Sequence, residues 1–126
     1  MSGLDITPSI PQGRQLIQSY GDGGFRIAGV VHMGSVLVLQ DRTLAWSVSN
    51  VDDVTAASLP AAELDGIDIL LVGCGGRFVA PPRALRTGLQ SLGVVPEWMD
   101  TGAACRTFNV LLAEERRVAA ALIAVS

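Results

Sequence analysis

The sequence predicts a single α/β domain with a mixed sheet, and three observations carry that prediction. From Tyr20 onward, short apolar runs alternate with polar residues and are separated by turn residues, the pattern of a β-meander. Ile67–Val72 (IDILLV) is then a continuous apolar run, as a strand covered on both faces should be. Two helical patterns follow, each succeeded by another apolar run, which completes a β-α-β-α-β second half. At 126 residues the chain fits one domain and can bury a sizeable core without staples.

Residues 1–19 are rich in Ser, Pro, Gln and Gly and show no period, so they read as a loosely held arm ahead of a domain spanning residues 20–126. Tyr20-Gly-Asp-Gly-Gly24 is a glycine-rich entry. Phe25, Ile27, Val31 and Met33 alternate with Arg26, Ala28 and His32 in one strand, with Gly29 as a bulge. Gly34-Ser35 is a turn signal, Val36–Leu39 a second strand, and Thr43–Val48 a third carrying Trp46. Residues 49–66 are irregular, with a short helix around Pro60–Leu64.

In the second half, Gly73-Cys74-Gly75-Gly76 forms a loop after the apolar strand. Pro81-Pro82 opens a helix, where proline suits the first turn. Leu85, Gly88, Leu89 and Leu92 make its buried stripe, and Gly93 suits its left-handed C-terminal position. Val94–Met99 is the next strand, parallel to the previous one. Asp100 or Thr101 caps a second helix over Gly102–Glu115, with Ala104, Cys105, Phe108, Leu111 and Leu112 facing the core. Val118–Val125 is a final buried strand.

Composition excludes several functions. The net charge of −3 gives no bulk attraction to nucleic acid or anionic membrane. All nine basic residues are Arg, so Schiff-base lysine chemistry and a P-loop lysine are absent. Cys74 and Cys105 form neither a CxxC pair nor a zinc spacing with the lone His32, and no metal or cofactor is expected. The N-terminus lacks a signal-peptide pattern and no apolar run approaches the ~20 residues of a membrane span, so a reduced, cytoplasmic protein is expected.

No catalytic constellation is recognisable, but six residues make a candidate pocket: Gly73, Cys74, Gly75, Asp100, Thr101 and Arg106. The glycine loop lies where open α/β sheets bind ligands, at the carboxyl end of a parallel strand. It begins G-x-G but has Phe78 in place of the third glycine, so a tight turn accounts for it better than a dinucleotide site. Cys74, near Arg77 and a helix start, is either an activated thiol or a small packing residue. Asp100-Thr101 is a helix cap that can also edge a small anion or carbonyl site. Arg106 stands on a semi-apolar helix face and calls for a partner, either Asp100 or Glu97 or a ligand. His32 reads as a surface residue, and Trp46 and Trp98 as core or groove-lining residues.

The ordered combination YGDGGFRI, GSVLVL, Trp46, the strand with its GCG loop, Pro81-Pro82 and EWMDTGAACRTFNVLLAEERRVAAALIAV resembles the Mth-type domain of unknown function over roughly residues 20–125. That domain also makes up a mitochondrial complex I assembly factor and an adipogenesis-associated protein. The resemblance implies a three-layer α/β fold with a mixed sheet. It further implies a non-enzymatic interaction or assembly role, with protein partners in respiratory complex or membrane-protein biogenesis. A small-molecule site at the Gly73–Gly76/Thr101 cleft is the alternative.

Overall fold

A computed structural model of the chain describes residues 13–81, 83–91 and 93–126. The first twelve residues of the arm, Pro82 and Leu92 lie outside the described residues. The strands are β1 (Ile17–Gly21), β2 (Gly24–Ile27), β3 (Val30–Met33), β4 (Val36–Val38), β5 (Thr43–Ala45), β6 (Ile69–Gly73), β7 (Val95–Met99) and β8 (Val118–Leu122). The helices are α1 (Arg83–Gln90) and α2 (Thr101–Ala113).

β1, β2 and β3 form an antiparallel meander of their own. The other five strands make a mixed sheet in the order β5-β4-β8-β6-β7. There β6 runs parallel to both β7 and β8, while β4 is antiparallel to β8 and β5. The chain therefore steps from β6 outward to β7 through α1, then back across β6 to β8 through α2.

The core explains that layering. Leu70, Val72, Ala119 and Ala121 point to the face covered by Leu85 and Leu89 of α1. Leu71, Val118, Ala120 and Leu122 point to the other face, under Phe108 and Leu112 of α2. The three-stranded sheet packs into this second layer through Ile17, Phe25 and Ile27. Every residue of β8 is buried, which is why VAAAL carries no polar alternation. Its alanines lie between two covered faces, where small side chains let both layers approach.

The amino-terminal half corrects the sequence reading. Phe25–Met33 is not one bulged strand but two, joined by Ala28 and Gly29 with φ of 49° and 83°. Both residues are left-handed, the geometry of a tight two-residue hairpin turn. Asp22 and Gly23, at 53° and 80°, make the same kind of turn between β1 and β2. β1 begins at Ile17, within the stretch assigned to the loose arm. The Asn109 side chain fastens it, accepting the Ile17 N–H at 2.9 Å and donating to the Ile17 carbonyl at 2.8 Å.

Elsewhere the differences are shorter. The third expected strand stops at Ala45, though Trp46 and Val48 remain buried beyond it. The expected short helix is a single 3-10 turn over Ala61–Leu64. Gly93 follows α1 with φ of 73°, as its C-terminal position required.

Candidate functional site

The carboxyl ends of the three parallel strands open onto one cleft of about 630 Å³. Cys74, Gly75 and Gly76 follow β6, Asp100 and Gly102 follow β7, and Ile123 to Ser126 follow β8; all line it. Tyr20 from β1 and Ser49, Asn50 and Val51 from the irregular stretch supply the remaining wall. The location agrees with the general placement of ligand clefts in open α/β sheets.

Of the six candidates, Cys74, Gly75 and Asp100 line this cleft, while Gly73, Thr101 and Arg106 do not. Gly73 is the close-approach point between β6 and α2. A Cβ there would stand 2.9 Å from the Thr101 Cα and 3.0 Å from a Leu122 methyl. Thr101 is completely buried, and its hydroxyl accepts the Gly75 N–H at 3.0 Å and donates to the Ile123 carbonyl at 2.8 Å. The Thr101 N–H also donates to the Gly75 carbonyl at 2.9 Å. Thr101 thus ties the ends of β6 and β8 to the start of α2, behind the cleft wall.

Asp100 is the N-cap of α2, its carboxylate accepting the Ala103 N–H at 2.9 Å. Cys74 is buried. Its sulfur accepts the Val79 N–H at 3.3 Å, and its own N–H donates to the Met99 carbonyl at 2.8 Å. These bonds hold the loop against the end of β7. Gly75 has φ of 115°, a backbone setting that an L side chain rarely adopts, with open space where a Cβ would be.

Arg106 departs from expectation. It is exposed, and among the described residues it makes no ion pair with Asp100 or Glu97. Its guanidinium folds back along α2 to within 3.4 Å of the Cβ position of Gly102, beside Tyr20. The solvated end of the side chain needs no buried partner. One turn of the helix away from the cleft, Cys105 is buried in the core, and burial pushes its thiol up from 9.0 to about 12. The neighbouring Arg106 charge lowers it and Asp100 raises it, both less than burial does.

Sequence reasoning missed Tyr20, Asn50, Gly102 and the residues after β8 as parts of the cleft wall. A Cβ on Gly102 would meet the Tyr20 ring, with Cζ only 2.9 Å away, so the phenol lies directly over the first turn of α2. The two residues are far apart in sequence, and only the docking of the small sheet on α2 brings them together. The one legible signal was the glycine directly after Asp100-Thr101.

Known proteins resemble the chain as a whole. The family described as protein of unknown function (DUF498/DUF598) matches residues 17–123. An uncharacterised Rhodobacter capsulatus protein is 42% identical over 107 residues, which is 85% of this chain and 82% of that one. The NADH dehydrogenase (ubiquinone) 1 alpha subcomplex assembly factor 3 of Danio rerio is 36% identical over 110 residues, 86% of this chain and 63% of that protein. Among solved structures, an outer membrane protein from Bartonella henselae superposes with a TM-score of 0.82 at 39% identity, covering 94% of this chain and 100% of that one. A Bordetella pertussis protein described as a Mth938-like domain gives a TM-score of 0.76 at 27% identity, covering 96% and 92%. In the present chain, no helix among the described residues is long and apolar enough to cross a membrane.

Proposed function

The chain belongs to the DUF498/DUF598 family, and from that premise we propose that it is a non-enzymatic assembly factor, binding protein partners during the building of a respiratory NADH dehydrogenase. The observation that carries this reading is its 36% identity to the Danio rerio assembly factor across 86% of its length. The chain spans 63% of that relative's length.

The chemistry of the cleft favours a binding protein over a catalyst. The Thr101 hydroxyl is spent on backbone groups. The Cys74 sulfur accepts a backbone N–H, and Asp100 caps α2. A nucleophile needs a neighbouring base or a cation to activate it, and these contacts instead serve the ends of strands and a helix. The test is affinity capture of the tagged chain from a native extract of its host, with quantitative mass spectrometry. Reproducible recovery of dehydrogenase subunits or their assembly partners supports the reading. Recovery of no reproducible protein overturns it.

The cleft itself favours a second reading, a small-molecule site with Gly75, Asn50 and Tyr20 as its polar wall. The Asp100 carboxylate in that wall disfavours an anion and leaves a neutral carbonyl compound as the better fit. Thermal shift against a panel of small carbonyl compounds decides it: a stabilisation abolished by Asn50→Ala supports the site, and no shift at millimolar ligand removes it.

A further inference from the structure

β3 carries an inference that goes beyond the assembly role and is independent of it. Among the described residues the two sheets have four edge strands, and three of them are blunted. β5 is only three residues long, and β7 carries Pro96, which has no N–H to offer. β1 has a register shift between Ile17 and Ser19, and the Asn109 side chain occupies the backbone groups of Ile17. β3 has none of these devices. Its pairing with β2 is regular throughout, and it contains no charged residue and no proline.

Its exposed face is also apolar. Val31 and Met33 on that face are 56% and 69% exposed, and Val30, on the opposite face with His32, is 55% exposed. The register then fixes which backbone groups are offered. The Gly34 N–H donates to the Gly23 carbonyl, which makes Gly24 and Met33 a non-hydrogen-bonded pair. Val30 and His32 therefore direct their N–H and C=O groups at β2. Val31 and Met33 direct theirs outward, one on each side of His32.

We propose that β3 is the pairing edge for a second copy of this chain, forming an antiparallel β3–β3 ribbon about a two-fold axis at His32. The strand is self-complementary in that register. Val31 of one copy meets Met33 of the other, and the outward N–H and C=O groups of both residues pair twice over. His32 meets its own copy in a non-hydrogen-bonded position. On the exposed face, the two Val31 and two Met33 side chains form one apolar strip. No charge on either strand opposes the pairing. Stable interfaces bury roughly 1,200–2,000 Å² in total, more than a four-residue strand pair supplies, so the dimer forms weakly and with concentration.

Sedimentation velocity tests this up to about 1 mM protein. The wild type is expected to gain mass with concentration. Val31→Pro removes only an outward N–H, since β2 is bonded through residues 30 and 32, and should weaken association by about tenfold or more with an unchanged circular dichroism spectrum. Should that variant lose its fold, crosslinking reads the same register. His32→Cys should form a disulfide-linked dimer under mild oxidation, because paired non-hydrogen-bonded Cα atoms lie roughly 4.5 Å apart. Val30→Cys should not, because the two copies of residue 30 stand four strand positions apart, roughly 13 Å. A chain that stays monomeric at every concentration overturns the proposal. So does a folded Val31→Pro that associates as the wild type does, or crosslinking at residue 30 as readily as at residue 32.

Discussion

The Thr101 hydroxyl accepts the Gly75 N–H at 3.0 Å and donates to the Ile123 carbonyl at 2.8 Å, joining the ends of β6 and β8 to the start of α2 through one buried atom. That relationship accounts for a residue which the sequence offers as part of a helix cap and, less readily, as the edge of a ligand site. Thr101→Val leaves both backbone partners unsatisfied and should destabilise the protein by about 2–4 kcal/mol. Thr101→Ser keeps the hydroxyl and should cost far less. Urea unfolding of the two variants checks this, and equal losses would show that the methyl group matters rather than the hydroxyl.

Gly73 faces the same junction from β6. An added methyl would press on the Thr101 Cα and on Leu122, neither of which can swing away, because both belong to packed elements. Gly73→Ala should therefore cost about 1–3 kcal/mol by overpacking. Gly76→Ala serves as the control, since its Cβ meets nothing within 4 Å and its φ is not in the left-handed region. A denaturant midpoint shift for Gly73→Ala that does not exceed the control's would contradict the close approach.

The small sheet depends on Asn109, which holds both backbone groups of Ile17. Asn109→Ala should lower stability by about 1–3 kcal/mol and speed hydrogen exchange at the Ile17 amide. Asn109→Asp can still accept the Ile17 N–H but cannot donate to its carbonyl, so it should fall between the two. Exchange at Ile17 that is unaltered in the alanine variant would mean that β1 is held by packing alone.

Cys105 gives a pH dependence with a definite sign. Burial raises its thiol from 9.0 to about 12, so the folded chain keeps a proton that the unfolded chain gives up. The unfolded state then binds fewer protons, and stability falls as pH rises. The contribution is intact below pH 9 and is lost progressively between pH 9 and about 12. Cys105→Ala should flatten that part of the profile, as read from urea midpoints across the alkaline range. A slope identical to the wild type's would assign the alkaline loss to other groups.

Much of this fold was legible in the sequence, and the failures have physical causes. IDILLV announced a strand covered on both faces, and Asp100 announced the start of α2, because burial and capping are local in their demands. The first hairpins were hidden for the opposite reason. β1 buries only Ile17, so its Gln and Ser residues carry no alternation to read. The turn between β2 and β3 places Ala28 in a left-handed conformation that its residue type does not announce. At the site, the glycine loop and Asp100 stood out in the sequence. Tyr20 and Asn50 did not, because they reach the cleft only through the docking of distant segments. The carboxylate partner sought for Arg106 is absent among the described residues, since the helix face it occupies is open to water.

The most direct test of the central claim is complementation of a strain lacking this gene by a Cys74→Ala/Asp100→Ser double variant. The variant removes the thiol and the carboxylate of the cleft, and serine can still cap α2. Native gels of the respiratory complexes give the readout. An assembly factor that works by binding partners predicts that the folded double variant restores the NADH dehydrogenase to the wild-type level. A folded double variant that leaves the dehydrogenase unassembled while the wild type restores it would contradict the account and place the function in the chemistry of the cleft.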